Sequence, residues 1–335
     1  MQLKELIRKG NEVVSRMYDE REAREMVFAF LEHQLGTKRH THIIEPEYEV
    51  SDEAASAAMS AFERMATGEP LQYVSGVADF YGRSFRVTPD VLIPRPETEI
   101  LCRSALMQRP GCQVFGDGIL PPSRAISKRS SGPLQREACG SRFGRGPSEH
   151  LATVPMVLDL CTGSGCIAWT LALEMPGARV TAVDISDAAL AVASSQDFAE
   201  EISRTGALAP SFIRADVLAG PSALPDNGKG TLPRYDILVS NPPYVMDKEK
   251  ALMRPNVLDH EPHLALFVSD NDPLVFYRAI ADWAQSLLKP DGFGIVEINE
   301  ALGPQTAALF SEAGFRDVSI LTDLSDRDRF VSFRR

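Results

Sequence analysis

The 335-residue sequence lacks the features that mark several common classes of protein. No apolar run approaches the roughly 18 residues that span a membrane, and Met1–Glu5 carries charges of both signs rather than the start of a secretory signal. The five cysteines are odd in number and form no Cys-x-x-Cys pair, so neither a disulfide framework nor a zinc site is expected. We therefore expect a cytoplasmic protein with no membrane partner and no metal.

Positive charge is also scarce, because 35 Lys and Arg face 46 Asp and Glu and leave a net charge of -11. A general nucleic-acid binder needs a basic surface, so no direct nucleic-acid partner is expected. Residues 109–150 differ, since seven basic residues face three acidic ones in a stretch rich in Gly, Pro and Ser. This composition predicts a disordered basic insertion. The alternative is a nucleic-acid-binding tail.

The hydrophobic fraction of 44% in a chain of this length is enough for two domains. Helical spacing predicts a first helix from Leu3, a second capped by Asp19, and a third from Ser51 to Gly68. Short alternating segments from Leu71 to Ile93 predict a β-hairpin connector, followed by a helix start at Pro96. We expect four parts: a helical domain at 1–70, the connector and linking helix at 71–108, the insertion at 109–150, and a catalytic domain at 151–335.

From Val154 onward, apolar strands alternate with helical segments, which predicts an α/β fold with a largely parallel sheet. The predicted strands are Met156–Leu160, Arg179–Val183, Ser211–Ala215, Tyr235–Ser240, Gly294–Ile298, Asp317–Leu321 and Arg329–Phe333. The predicted helices are Cys166–Glu174, Asp187–Arg204, Pro273–Leu288 and Gly303–Ala313.

Three consecutive strands end in residues that suit a nucleoside. The first ends in the turn Cys161-Thr162-Gly163-Ser164-Gly165, where small residues let the backbone approach a ligand. The second ends in Asp184, whose carboxylate can accept hydrogen bonds from a ribose diol. The third ends in Asp216, which can reach the far end of the nucleoside. Together they predict a nucleoside-binding site.

The fourth strand leaves the sheet through Asn241-Pro242-Pro243-Tyr244. Two prolines fix φ and remove backbone donors, so the local carbonyls are free to accept hydrogen bonds. Asn241 adds an amide and Tyr244 a flat ring, which together suit a planar amino group. If the first and fourth strands are neighbours at the point where strand order reverses, both sites share one crevice.

These motifs resemble those of class I S-adenosylmethionine-dependent amino-methyltransferases, which have a seven-stranded Rossmann-like sheet. Four further segments resemble the HemK/PrmC family, the peptide chain release factor N(5)-glutamine methyltransferases. They are Gly68–Gly76, Phe80–Gly82, Leu92–Glu99 and Asp259–Pro262. The resemblance covers nearly the whole chain except the insertion.

The resemblance implies an enzyme that transfers a methyl group from S-adenosyl-L-methionine to the Gly-Gly-Gln glutamine of release factors, supporting translation termination. Thr162–Gly165 would hold the methionine part of the donor, Asp184 the ribose, and Asp216 and Val217 the adenine, with Cys161 and Asn241 also beside the donor. Asn241, Pro242, Pro243 and Tyr244 would bind the glutamine, and Asn241, Pro242 and Tyr244 would be catalytic. The helical domain would recognise the protein substrate, and the enzyme would act as a monomer.

The chain departs from the family at Cys161, where glycine is frequent, and at Val217, where some members carry an aromatic residue. No general base is expected, because the proton can leave to solvent after methylation. Glu261 is the nearest candidate, and the alternative for it is a carboxylate that anchors a loop. Two other functions stay open: a DNA or RNA amino-methyltransferase acting on adenine or cytosine, and a non-catalytic binding protein.

Overall fold

The computed structural model describes residues 1–108, 154–224 and 232–335. The insertion predicted at residues 109–150 lies outside the described residues. No helix in the described ranges combines the length and the apolar character that crossing a membrane requires.

The first 75 residues are helical. They form α1 (Leu3–Val14), α2 (Glu20–Leu35), α3 (Thr41–Ile44), α4 (Asp52–Ala66) and α5 (Leu71–Ser75). The predicted cap of α2 is confirmed, because the Asp19 carboxylate accepts the N–H groups of Arg21 and Glu22, both at 2.9 Å. Ser51 caps α4 by accepting the N–H of Ala54 at 3.2 Å. The apolar faces of α1, α2 and α4 pack on one another in a separate core.

A β-hairpin and a helix connect this region to the main sheet. They are β1 (Val77–Phe80), β2 (Arg83–Arg86) and α6 (Thr98–Met107). The prediction of strands from Leu71 onward is wrong over α5, because Leu71 and Val74 lie on one helical face and pack against the N-terminal core. The helix expected to start near Pro96 begins at Thr98.

The rest of the chain alternates between strands and helices. Its elements are β3 (Met156–Leu160), α7 (Cys166–Glu174), β4 (Arg179–Asp184), α8 (Asp187–Ser194), α9 (Ala199–Thr205), β5 (Ser211–Arg214), β6 (Tyr235–Ser240), β7 (Val245–Met246), α10 (Pro255–Leu258), α11 (His263–Leu266), β8 (Phe267–Val268), α12 (Val275–Leu287), β9 (Leu288–Glu297), α13 (Gly303–Glu312), β10 (Arg316–Thr322) and β11 (Asp328–Arg334). Within the described residues, seven of these strands form one sheet in the order β10-β11-β9-β6-β3-β4-β5. The predicted α/β fold is confirmed.

Strand order reverses beside β3, which has β4 on one side and β6 on the other. Strands β5, β4, β3, β6 and β9 run parallel, and β11 and β10 pair antiparallel at one edge. The first and fourth predicted strands are therefore neighbours, as the shared crevice required. Helices α6 and α7 cover one face of the sheet, and α12 and α13 cover the other.

One predicted helix is in fact two. The continuous helix expected from Asp187 to Arg204 is interrupted between α8 and α9. Gln196 lies in this interruption and is buried. Its amide oxygen accepts the N–H of Arg86 at 2.8 Å, and its amide nitrogen donates to the carbonyls of Arg86 at 2.9 Å and Ser164 at 3.1 Å. The Gln196 side chain thus links the β1–β2 hairpin to the glycine turn after β3 by hydrogen bonds.

Candidate active site

The strand register brings four polar strand ends to one edge of the sheet. Leu160 of β3 pairs with Val183 of β4 and with Ser240 of β6, and Ser240 pairs in turn with Val296 of β9. The next residues on these strands are Cys161, Asp184, Asn241 and Glu297. Because parallel strands end at the same edge, these residues form a row beside the reversal of strand order.

The turn after β3 has a left-handed backbone at three positions, with φ of +61° at Cys161, +53° at Gly163 and +79° at Gly165. Glycine tolerates this region, whereas a side chain at Cys161 is strained there. The Thr162 N–H donates to the carbonyl of Val183 at 3.0 Å, which holds the turn against β4. Helix α7 starts directly after the turn, so its free N–H groups face the same edge.

A buried carboxylate in β3 accepts a hydrogen bond from this turn. Asp159 is fully buried in β3 and accepts the hydroxyl of Thr162 at 2.6 Å. Burial raises the pKa of Asp159 to about 7, although the Thr162 hydroxyl opposes the shift.

The second strand end presents Asp184, whose two carboxylate oxygens accept the N–H groups of Gly163 at 2.9 Å and Ser186 at 3.0 Å. Burial raises the pKa of Asp184, and the backbone N–H groups act in the opposite direction. The third strand is followed by Asp216, which accepts the N–H of Leu218 at 2.9 Å. The neighbouring Val217 is buried.

A cavity of about 350 Å³ opens over these strand ends. Its walls include the following predicted site residues: Cys161, Thr162, Gly163, Ser164, Asp184, Asp216, Val217, Asn241 and Pro243. Gly165, Pro242 and Tyr244 are not among the described residues that line it. The structure thus joins the predicted nucleoside residues and the start of the Asn-Pro-Pro-Tyr segment in one cavity, within the 300–1,000 Å³ or so typical of small-molecule sites.

The Asn-Pro-Pro-Tyr segment is held by hydrogen bonds from β9 and the residues that follow it. The Tyr244 hydroxyl donates to Glu297 Oε1 at 2.9 Å, and the Asn299 amide donates to the Tyr244 carbonyl at 3.2 Å. Tyr244 therefore directs its hydroxyl at the protein interior. Asn241 is half-buried at the cavity wall, with its Nδ2 3.4 Å from Thr98 Oγ1.

Glu261 belongs to a second set of contacts at the cavity. It is 3% exposed, accepts the N–H of Ile93 at 3.2 Å, and pairs with the Arg95 guanidinium at 2.6 Å. Both carboxylate oxygens are thus engaged in holding the residues before α6 against the Asp259–Pro262 segment. This geometry matches the loop-anchoring alternative for Glu261 rather than a general base. Arg95 itself lines the cavity.

Two residues beside the Asn-Pro-Pro-Tyr segment, Thr98 and Glu297, are not among the site residues predicted from the sequence. Glu297 ends an apolar strand with a carboxylate, which is the same signal that identified Asp184, so it could have been found. Thr98 carried no such signal, because it lies in the first turn of α6 and meets Glu297 only through the fold.

Residues 5–76 match a family model described as the PrmC N-terminal domain, and residues 148–260 match one described as a methyltransferase small domain. A release factor glutamine methyltransferase of Bacteroides thetaiotaomicron is 38% identical over 272 residues, which is 81% of this chain and 78% of that protein. One from Flavobacterium psychrophilum is 32% identical over 96% of this chain and 94% of its own length. One from Cereibacter sphaeroides is 38% identical over 84% and 80%, respectively.

Proposed function

Because the chain belongs to the release factor glutamine methyltransferase family, we propose that it methylates the side-chain amide nitrogen of the Gly-Gly-Gln glutamine in peptide chain release factors. This modification supports translation termination. The observation that carries the proposal is the shared cavity, in which the glycine turn, Asp184 and Asp216 lie on one side and Asn241 on the other. One part suits a nucleoside and the other a planar amide.

The donor is S-adenosyl-L-methionine, and the residues at the cavity fit it. The turn from Cys161 to Gly165 offers a close backbone approach and the start of α7, which suits the methionine part. Asp184 is a carboxylate suited to the ribose hydroxyls, and Asp216 and Val217 border the space for the adenine. When bound, the donor supplies a methyl group on a positively charged sulfur, which is activated without help from the protein.

The protein's own part is to orient the target amide. An amide nitrogen is a poor nucleophile, because its lone pair is shared with the carbonyl. We assign acceptance of its two hydrogens to the Asn241 side-chain oxygen and the Pro242 carbonyl. We assign restriction of its plane to the ring of Tyr244, although Pro242 and Tyr244 adjoin the described cavity lining rather than belong to it. The nitrogen gains a methyl group and releases one proton to solvent, so no residue need act as a base. Glu261 is already occupied by Ile93 and Arg95.

The remaining assignments follow the same family. We assign release-factor recognition to residues 1–70 and the hairpin connector within 71–108, and methyl transfer to residues 151–335. Residues 109–150 stay assigned as a basic insertion between these parts. We propose that the enzyme acts as a cytoplasmic monomer. We also propose that it has no direct nucleic-acid partner, because its net charge of -11 is repelled by a phosphate backbone.

The test is a methyl-transfer assay with radiolabelled donor and purified full-length protein. It offers an unmodified bacterial release factor, duplex DNA and RNA in parallel. We expect label on the release factor, at the glutamine of Gly-Gly-Gln, and none on either nucleic acid. A release factor whose Gly-Gly-Gln is changed to Gly-Gly-Ala serves as the control and should stay unlabelled. Label on nucleic acid alone would replace the proposed substrate while leaving the amino-methyl transfer in place.

A second prediction concerns Cys161, which lines the cavity at a φ of +61°. A residue with a Cβ costs about 1–2 kcal/mol in this region, and glycine loses about 0.5–1 kcal/mol in backbone entropy. We therefore expect Cys161→Gly to change the free energy of unfolding by no more than about 1 kcal/mol and to leave donor affinity unchanged. Cys161→Leu should weaken donor binding at least about tenfold, because a larger side chain fills the cavity.

Calorimetric titration of each variant with S-adenosylmethionine measures the affinity, and Cys161→Ala is the matched control that shortens the side chain without freeing the backbone. If Cys161→Gly and Cys161→Ala both lost affinity as strongly as Cys161→Leu, the sulfur would be a favourable donor contact and the expectation would be wrong.

A further inference from the structure

A buried carboxylate lies behind the Asn-Pro-Pro-Tyr segment, and the mechanism above does not use it. Glu297 is 1% exposed at the end of β9, next to the strand that carries Asn241. Its Oε2 accepts the hydroxyl of Thr98 at 2.7 Å, and its Oε1 accepts the hydroxyl of Tyr244 at 2.9 Å. A buried carboxylate is costly unless it is hydrogen-bonded, and here both oxygens are engaged.

The surroundings of Glu297 act on its pKa in opposite directions. Burial raises the pKa of the Glu297 carboxyl, whereas the hydroxyls of Thr98 and Tyr244 and the charge of Arg329 favour the ionised form. As an ionised carboxylate, Glu297 can only accept hydrogen bonds. Both hydroxyls must then donate to it.

The hydrogen bond from Thr98 to Glu297 also fixes which group donates in the contact between Thr98 and Asn241. A hydroxyl has one hydrogen, so a Thr98 hydroxyl that donates to Glu297 can only accept from its other neighbour. That neighbour is the Asn241 side chain, 3.4 Å away, which must present its NH2 group to Thr98. The contact is longer than the usual N–H···O distance of about 2.9–3.0 Å, as catalytic hydrogen bonds often are before substrate binds. The Asn241 oxygen is then left for the cavity.

We propose that Glu297 and Thr98 together set the amide orientation of Asn241. Glu297 acts through Thr98, so that the side-chain oxygen of Asn241, rather than its NH2 group, faces the target amide. The inference rests on the proposed function, since only a substrate that donates N–H needs an acceptor at this position. If the Asn241 side-chain amide were rotated by half a turn, its NH2 group would face the NH2 group of the target glutamine. Neither residue is assigned contact with the reacting atoms.

The decisive experiment compares Thr98→Val with Thr98→Ser in the full-length protein, using single-turnover methyl transfer to a release factor. Valine matches threonine in shape but can neither donate nor accept, whereas serine keeps the hydroxyl. We expect the rate to fall at least about tenfold in Thr98→Val and to stay within about threefold of wild type in Thr98→Ser. Donor affinity by calorimetry should stay unchanged in both, which separates orientation from loss of the cavity.

A double-mutant cycle tests whether Thr98 acts through Asn241. In an Asn241→Ala background no amide is left to orient, so adding Thr98→Val should cost no further rate. A merely structural role for Thr98 would lower the rate by the same factor in both backgrounds. Thr306→Val is the matched control, because Thr306 is also buried, its hydroxyl has no hydrogen-bond partner among the described residues, and it lies in α13. It should leave the rate unchanged.

Glu297→Gln tests the carboxylate. Glutamine has the same shape but only one oxygen, so it presents an acceptor to one of the two hydroxyls and an NH2 group to the other; we expect a rate loss of at least about tenfold with donor affinity retained. Equal rates in Thr98→Val and wild type, additive effects in the cycle, or an unaffected Glu297→Gln would each overturn the inference. A wild-type protein that does not label the release factor would instead overturn the proposed function.

Discussion

Asn241→Ala is expected to lower the rate of methyl transfer to a release factor by about 10²–10³-fold, the range seen when one fixed hydrogen-bonding group is removed from a transition state. Asn241 lies at the cavity wall and directly follows Ser240, which pairs with Leu160 across β3 and β6. In the proposed mechanism its side-chain oxygen accepts a hydrogen of the target amide, so its loss would leave the nitrogen less nucleophilic and less well oriented.

Single-turnover rates with saturating donor measure this effect without a contribution from product release. We also propose that Asn241 borders the donor, so we expect a smaller change in donor affinity, of no more than about tenfold. Asn271→Ala is the matched control, since Asn271 is an exposed asparagine that follows β8 and does not line the cavity. If Asn241→Ala lost donor binding and methyl transfer by equal factors, Asn241 would act on the donor and not on the amide.

The position of Asn241 could be predicted from the sequence because it depends on local patterns. Buried strands are recognisable as short apolar runs, and a parallel sheet places the carboxyl ends of its strands at one edge. Asp184 and the glycine turn follow from the same rule. The prediction needed one further condition, that the first and fourth strands are neighbours, and β3 and β6 meet it.

The supporting contacts could not be predicted in this way, because they join residues that are far apart in the chain. Thr98 and Glu297 are separated by 199 positions and meet only when α6 packs beside β9. Gln196 likewise breaks a sequence that reads as one helix, because its side chain is used in bonds to Arg86 and Ser164. Periodicity identifies which face of an element is buried, but it does not identify the polar partner on another element.

Asp184→Ala should weaken the binding of S-adenosylmethionine by about 100-fold. Hydrogen bonds to a charged group contribute about 1.5–3 kcal/mol each, and about 1.4 kcal/mol corresponds to a tenfold change in affinity. The substitution also frees the N–H of Gly163, which Asp184 holds at 2.9 Å, so the turn after β3 loses one of its restraints. Calorimetric titration with the donor and with S-adenosylhomocysteine, which shares the ribose, should give similar losses.

Asp187→Ala is the matched control, because Asp187 is an exposed acid three residues further on and pairs with the exposed Arg214.

The affinity of the wild-type protein for S-adenosylmethionine should also depend on pH. The pKa of Asp184 is raised by burial, so its carboxylate becomes protonated at a higher pH than an ordinary aspartate near 3.9 or so. Since only the ionised form accepts two hydroxyls, affinity should fall as the pH is lowered, beginning above that value, and Asp184→Ala should remove this dependence. A wild-type affinity that stayed constant down to pH 4, with the protein still folded, would show that the ribose is held by other groups.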